Sequence, residues 1–216
     1  MTYLSSLGLL AGIYLAVLAS PGPNFFILSQ MALDGRSAEA RWVVLGLSTG
    51  SLVWVLLSVA GLATLLSQHP LLATAVRVLG ALYLVWYGAR LLRSALTASA
   101  SAAGAAASDP GGEPAAAHAT RAAAYRTGLL TALTNPKAAA FWTSAFAAVF
   151  PADAPAWFFG ATIALVAALS LGWHLGITLV FGVPALRNAY LRLARTINGV
   201  TGGLLVLLGL QRLVMR

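Results

Sequence analysis

Lys137 is the one lysine of this 216-residue chain, and it stands in Thr134-Asn135-Pro136-Lys137 within a long apolar run. A cation at the bilayer centre costs ~2.5–3.5 kcal/mol on insertion scales. Such a cost suggests a function, and an ammonium there is suited to holding a carboxylate. A second reading has Lys137 snorkelling to a membrane edge about two turns away. Another apolar run is interrupted by Ser20-Pro21-Gly22-Pro23-Asn24. A helix-interior proline removes a backbone hydrogen bond and costs ~3 kcal/mol or more, so two prolines around a glycine should break the helix. Irregular backbone at membrane depth is tolerated where protein or a water-filled cavity satisfies it. The break is therefore either part of a binding site or a kink whose polar groups neighbouring helices satisfy. Half-helices starting after Pro23 and Pro136 would offer N–H groups and positive dipole ends to an anion. The candidate substrate-binding residues are thus Pro21, Gly22, Pro23, Asn24, Asn135, Pro136 and Lys137. No Asp or Glu lies in an apolar run to hold an amino group, which leaves Asn24, Asn135 and unpaired backbone carbonyls for that role.

His174, in Gly172-Trp173-His174-Leu175-Gly176, is the titratable group of near-neutral pKa inside an apolar run. It is a candidate proton relay, with packing or hydrogen bonding as the other reading. Trp42 and Trp157 suit the membrane interface, whereas Trp54, Trp142 and Trp173 fall deeper and suit the core. Enzyme chemistry is not indicated: there is no HExxH, GxSxG, phosphate-binding glycine loop or apolar pair of carboxylates. With no Cys and with His69, His118 and His174 far apart, no catalytic residue, metal site or cofactor is expected.

The elements that must position these residues are membrane helices. The chain is 60% hydrophobic and 8% charged, against roughly a quarter charged in soluble domains, and its mean hydropathy is +0.86. A spanning helix needs ~20 apolar residues, and six stretches approach this: Leu4 to Gln30, Trp42 to Leu66, Leu71 to Leu92, Thr127 to Phe150, Trp157 to Phe181 and Ile197 to Val214. They are continuously apolar rather than alternating, which favours an all-α integral membrane protein over a barrel. The net charge of +8 comes from arginines between the stretches, a membrane address rather than a nucleic-acid surface. Gly46, Gly50, Gly61, Gly80, Gly88, Gly172, Gly176, Gly202 and Gly209 are expected to let helix backbones approach closely. The first stretch lacks a basic n-region, so it reads as a retained helix.

An Ala/Ser/Gly-rich tract over 94–124 divides the chain into a first three-helix unit, 1–93, and a second, 125–216. The halves match weakly but in order. Pro23 matches Pro136 at a shift of 113, Gly46 matches Gly160 at 114, and Leu84-Val85, Gly88 and Leu92 match Leu205-Val206, Gly209 and Leu213 at 121. A three-span unit repeated once inserts its second copy upside down, giving six transmembrane helices as two inverted repeats with helices 1 and 4 broken. Arginines cluster in the connections after the first, third and fifth stretches, which puts these in the cytoplasm and both termini in the periplasm.

The chain resembles the LysE/RhtB translocators, a family of bacterial amino-acid exporters. The resemblance rests on SPGPNFF at Ser20 to Phe26, the Gly35-Arg36 turn, GLSTGSLVW at Gly46 to Trp54, GALYLVWYGARLLR at Gly80 to Arg93 and TNPKAAAFW at Thr134 to Trp142. It implies a multi-pass protein of the bacterial inner membrane whose PGP and NPK segments form a central site for an amino acid. The lipid bilayer and protons, as coupling ion, are the other partners, and a homo-oligomer is left open. Basic-amino-acid exporters of the family tend to carry Ser-Asp near Gly50-Ser51. This chain lacks that Asp, so the resemblance points to neutral substrates of the homoserine/threonine type. A passive channel or facilitator for small metabolites is the rival reading.

Overall fold

The computed structural model describes residues 3–68, 70–97, 120–135, 137–139, 141–142, 150–151 and 154–214; the side-chain surroundings of 61–74, 76–77, 80, 187 and 212 lie outside that description. The described residues form seven labelled helices: α1 (Tyr3–Ala19), α2 (Pro23–Leu33), α3 (Ser37–Gln68), α4 (Pro70–Thr97), α5 (Arg121–Thr134), α6 (Ala156–Phe181) and α7 (Pro184–Val214). Helix resumes at Lys137 after α5. No strand occurs among the described residues. The helices α3, α6 and α7 are each long and apolar enough to cross a membrane, and the bent pair α1 and α2 counts as a fourth when taken as one span. The expected span Leu71 to Leu92 lies within α4, whereas Thr127 to Phe150 is only partly described. The chain is an all-helical, multi-pass membrane protein, with apolar side chains such as Leu57, Leu79, Leu179 and Leu207 exposed on its outside.

The first break falls where the prolines predict it. α1 ends at Ala19, α2 starts at Pro23 with proline in its first turn, and the two axes differ by 54°. Proline suits that first turn because its missing N–H is not needed there. α2 ends in a Schellman turn: Gly35 takes φ 71°, its N–H donates to Ala32 O, and the Arg36 N–H donates to Met31 O. Arg36 then pairs with Glu39 in the first turn of α3. The 94–124 tract is helical at both margins, since α4 runs to Thr97 and Thr120 caps α5 by accepting from the Ala123 N–H at 3.2 Å; residues 98–119 lie outside the described residues.

Two glycine-lined pairings hold the bundle. Along α3 and α5, a Cβ on Gly46 would stand 2.6 Å from the Leu129 nitrogen, and one on Gly128 would stand 3.0 Å from the Leu47 nitrogen. Along α4 and α7, a Cβ on Gly88 would stand 2.6 Å from Gly202 O and 2.9 Å from Val206 N, and one on Gly209 would stand 2.7 Å from Ala81 O and 3.0 Å from Val85 N. Side chains at these positions would force the backbones apart, so close packing here requires glycine. The partners of Gly88 and Gly209 run in opposite directions, so α4 and α7 are antiparallel. Of the other glycines expected at tight interfaces, Gly50 meets the Ala132 side chain, whereas Gly172 and Gly176 have no neighbour within 4 Å of a built Cβ. Those two glycines are not at a close backbone contact, because α6 turns that face away from its neighbours. Gly61 and Gly80 fall outside the described surroundings.

The interior divides into two apolar clusters. Leu10, Ile13, Tyr14 and Val17 of α1 pack with Val55, Leu84, Trp142 and Leu205. Phe25 and Leu28 of α2 pack with Val43, Leu47, Ala132, Ile177 and Phe181. The helix break lies at the junction, with α1 serving one cluster and α2 the other.

Candidate functional site

The prolines determine which backbone carbonyls need help. In an unbroken helix Val17 O would accept from the N–H of residue 21 and Ala19 O from that of residue 23. Both are prolines and have no N–H. The structure supplies a side-chain donor to each. The Lys137 ammonium donates to Val17 O at 2.8 Å, and also to Ser20 O at 2.7 Å and Ser20 Oγ at 3.0 Å. The Tyr190 hydroxyl donates to Ala19 O at 2.6 Å. Ser20 Oγ–H adds a bond to Val17 O at 3.0 Å, and Thr201 Oγ1 donates to Ala16 O at 3.1 Å. Lys137 thus lies at the negative end of the α1 dipole, where a cation is stabilised. Gly22 completes the fit, since a Cβ there would stand 3.1 Å from Lys137 Nζ.

The second break faces the first. α5 ends at Thr134, and Asn135 is extended at φ −69°, ψ 109°. Its side chain does two things: Oδ1 accepts from the Lys137 N–H at 3.0 Å, capping the helix that resumes there, and Nδ2 donates to Asn24 Oδ1 at 2.9 Å. The two interrupted helices are joined at this pair of asparagines, 111 positions apart. Pro136 lies outside the described residues. The Lys137 N–H is therefore occupied, whereas α2 has no side-chain cap at Gly22. The carbonyls expected to hold an amino group are also occupied, by Lys137 and Tyr190, and Asn24 and Asn135 bond each other. Tyr190 was not singled out by its sequence context. Its hydroxyl reaches the break because its ring stacks on Phe25 at 4.9 Å and meets Phe181 edge-on at 5.4 Å.

Beside the joined breaks lies a cavity of about 30 Å³, lined by Asn24, Asn135 and Lys137 together with Tyr14, Ser51, Trp173 and His174. Val17, Phe141 and Trp142 close it with apolar surface. This volume holds a water or two and is closed to an amino acid. His174, 1% exposed, shares a hydrogen bond with Ser170 Oγ at 3.2 Å through Nδ1, and Ser170 Oγ reaches Ser48 Oγ and Ser51 Oγ, each at 3.3 Å. The histidine expected as a relay thus terminates a chain of buried hydroxyls. Trp142 and Trp173 line the cavity, while the Trp54 indole donates to Ala132 O at 3.2 Å and staples α3 to α5. Trp157 is exposed and Trp42 lies under Arg121 at 5.5 Å. Among the described residues no group of His, Cys, Asp or Glu is arranged to hold a metal.

A multi-pass helical bundle with two interrupted helices meeting beside a small cavity of mixed polar and apolar lining has the architecture of a membrane translocator. Residues 15–216 match the family model described as LysE type translocator, and the chain belongs to that family. It is 32% identical over 206 residues to the threonine efflux protein of Escherichia coli K12, covering 95% of this chain and 96% of the relative. The threonine efflux protein of Salmonella typhi is 34% identical over the same length and coverage. A leucine efflux protein of Klebsiella pneumoniae is 34% identical over 121 residues, 56% of this chain and 52% of the relative. No solved structure matches the chain.

Proposed function

We propose that this chain is a secondary transporter that exports neutral amino acids of the homoserine/threonine type across the bacterial inner membrane, driven by inward movement of protons. One observation carries the reading: the interrupted helices of the two halves meet, Asn24 on Asn135 and Lys137 on the end of α1, at the edge of a small cavity with Asn24, Asn135, Lys137, Ser51 and His174 in its lining. Membership of the translocator family and the threonine and leucine efflux proteins among its relatives support it.

The transporter alternates access by moving one three-helix half, 1–93, against the other, 125–216, as inverted repeats joined by the 94–124 linker. The α4 and α7 contact supports this arrangement. Gly88 meets Gly202 and Val206, and Gly209 meets Ala81 and Val85, the same atoms after a shift of 121. Two antiparallel helices that exchange equivalent contacts are related by a local two-fold, as inverted repeats require. Both termini lie in the periplasm.

Substrate occupies Pro21 to Asn24 and Asn135 to Lys137. The uncapped start of α2 offers amide N–H groups to the carboxylate, and Lys137 supplies the charge. Because the ammonium is already bonded to α1, the carboxylate must draw it away from Val17 and Ser20. Substrate binding then loosens the α1 end, which couples occupancy to opening of the closed cavity. His174 relays protons through Ser170 to Ser48 and Ser51. One proton moving through ~100 mV supplies ~2.3 kcal/mol to drive a zwitterion outward.

The test is efflux and counterflow of labelled amino acids from proteoliposomes, wild type beside Lys137→Ala, with and without a proton gradient. Saturable, gradient-dependent efflux that the variant loses is the expected result. Wild-type rates from correctly inserted Lys137→Ala would remove Lys137 from the site, and unsaturable flux indifferent to the gradient would make the protein a passive facilitator.

A further inference from the structure

The cavity that Lys137 lines is also lined by two residues whose hydrogen-bond donors the proposed binding of a carboxylate does not use. The Tyr14 hydroxyl is buried, with the residue 3% exposed, and although Ser51 and Ser170 lie near it, it makes no hydrogen bond of good geometry. The Trp173 indole Nε1 is buried too, and neither atom has a partner among the described residues. Both residues line the same cavity as Ser51 and His174. A buried donor without a partner costs ~1–3 kcal/mol, and two lining one cavity are unusual where, among the described residues, Asn198 Oδ1 is the one other buried side-chain polar atom without a partner. The Ser51 hydroxyl donates to Leu47 O at 3.1 Å and Ser170 is shared among Ser48, Ser51 and His174, and no hydrogen bond joins either donor to these hydroxyls.

Both groups are donors, so the partner they lack is an acceptor such as an oxygen. We propose that Tyr14 and Trp173, backed by Ser51, form a subsite that reads the side-chain hydroxyl of the transported amino acid. This inference rests on the exporter reading and deepens it. A hydroxyl oxygen has two lone pairs, one for the indole N–H and one for the phenol, and its own proton can pass to the Ser51 oxygen or the imidazole. An aliphatic side chain of the same shape leaves both donors buried and unpaired. Sites built to bond a hydroxyl reject the analogue lacking it far more strongly than apolar pockets reject an extra one. The geometry therefore selects hydroxy amino acids against their isosteres, so threonine, homoserine and serine pass in preference to valine and leucine.

Threonine and valine differ by one hydroxyl at nearly equal volume, and their relative efflux from proteoliposomes isolates the subsite. The wild-type chain should favour threonine by about tenfold or more. Tyr14→Phe, Trp173→Phe and the milder Ser51→Ala should each bring the threonine-to-valine ratio toward one, while Thr162→Val, which removes a buried hydroxyl bonded within its own helix, should leave it unchanged. A wild-type ratio near one overturns the subsite and leaves the exporter standing, and this arm needs no variant. Ratios unchanged in all three variants overturn it also, by showing that Tyr14 and Trp173 hold only water or serve the carboxylate shared by both substrates. No efflux of any amino acid by well-inserted wild type would remove the exporter reading first, and the subsite with it.

Discussion

Tyr190→Phe gives the most direct test of how the broken first helix is held. The substitution keeps the ring that stacks on Phe25 and meets Phe181 and removes only the hydroxyl that bonds Ala19 O at 2.6 Å. Apolar burial is nearly unchanged, so the effect is that of the lost bond. Interhelical hydrogen bonds in membranes average ~0.6 kcal/mol, because the opened state finds other partners. Ala19 O has no such alternative within its helix, since residue 23, whose N–H it would accept, is a proline and has none. The cost should therefore lie at the upper end for such bonds, about 1–2 kcal/mol. Thr201→Val is the matched control: it removes a hydroxyl from Ala16 O, which keeps a backbone bond from the Ser20 N–H at 3.1 Å, and should cost about 0.5 kcal/mol or less. Reversible unfolding of the purified protein in mixed micelles, with both variants in parallel, measures the difference. If Tyr190→Phe destabilises no more than Thr201→Val, the assignment of Tyr190 to the carbonyl orphaned by Pro23 is wrong.

Gly22→Ala should leave the protein folded but slow efflux several-fold, because its Cβ would stand 3.1 Å from Lys137 Nζ and shift the ammonium from Ser20 O; equal rates at equal protein in the vesicles would show that this fit is not used. Gly209→Leu should prevent stable assembly, since a side chain there meets Ala81 O and Val85 N, whereas Gly172→Ala, with open space around it, should be neutral or stabilise by about 0.5–1 kcal/mol. Thermal melts in detergent compare the two, and equal tolerance would refute the close α4 and α7 contact. Asn135→Ala should cost about 1 kcal/mol as a lost helix cap and more in transport than in stability, because it also parts the two breaks; efflux at the wild-type rate would deny the asparagine pair a role.

Much of this was legible in the sequence because membrane helices announce themselves by length and because proline has one unavoidable effect. The continuous apolar runs marked the long helices α3, α4, α6 and α7, Pro21 and Pro23 marked the first break, and the interruption expected at Asn135 falls where α5 ends at Thr134. The glycines at 46, 88, 202 and 209 proved to lie at close backbone contacts. Gly172 and Gly176 did not, because composition alone does not say which face of a helix meets a neighbour. The sequence also named Lys137 without showing what it holds. An unpaired intramembrane cation suggests an anion, yet its hydrogen bonds go to carbonyls at the end of α1. That choice becomes readable only when the prolines are counted four residues back, to Val17 and Ala19. Tyr190 and Tyr14 stayed hidden because a tyrosine in an apolar run carries no local mark of its partner, which lies 171 positions away for Tyr190.

The separation of the donors from the break has a consequence for biogenesis. When α1 and α2 leave the ribosome, neither Lys137, 120 positions after Val17, nor Tyr190, 171 after Ala19, has been made. Until they are, Val17 O has the Ser20 hydroxyl alone and Ala19 O lacks its side-chain donor, so the bent span should settle into lipid only once the later helices arrive. A chain stopped after residue 93 should therefore be recognised by membrane quality control as unfinished, although three of its apolar stretches are already present.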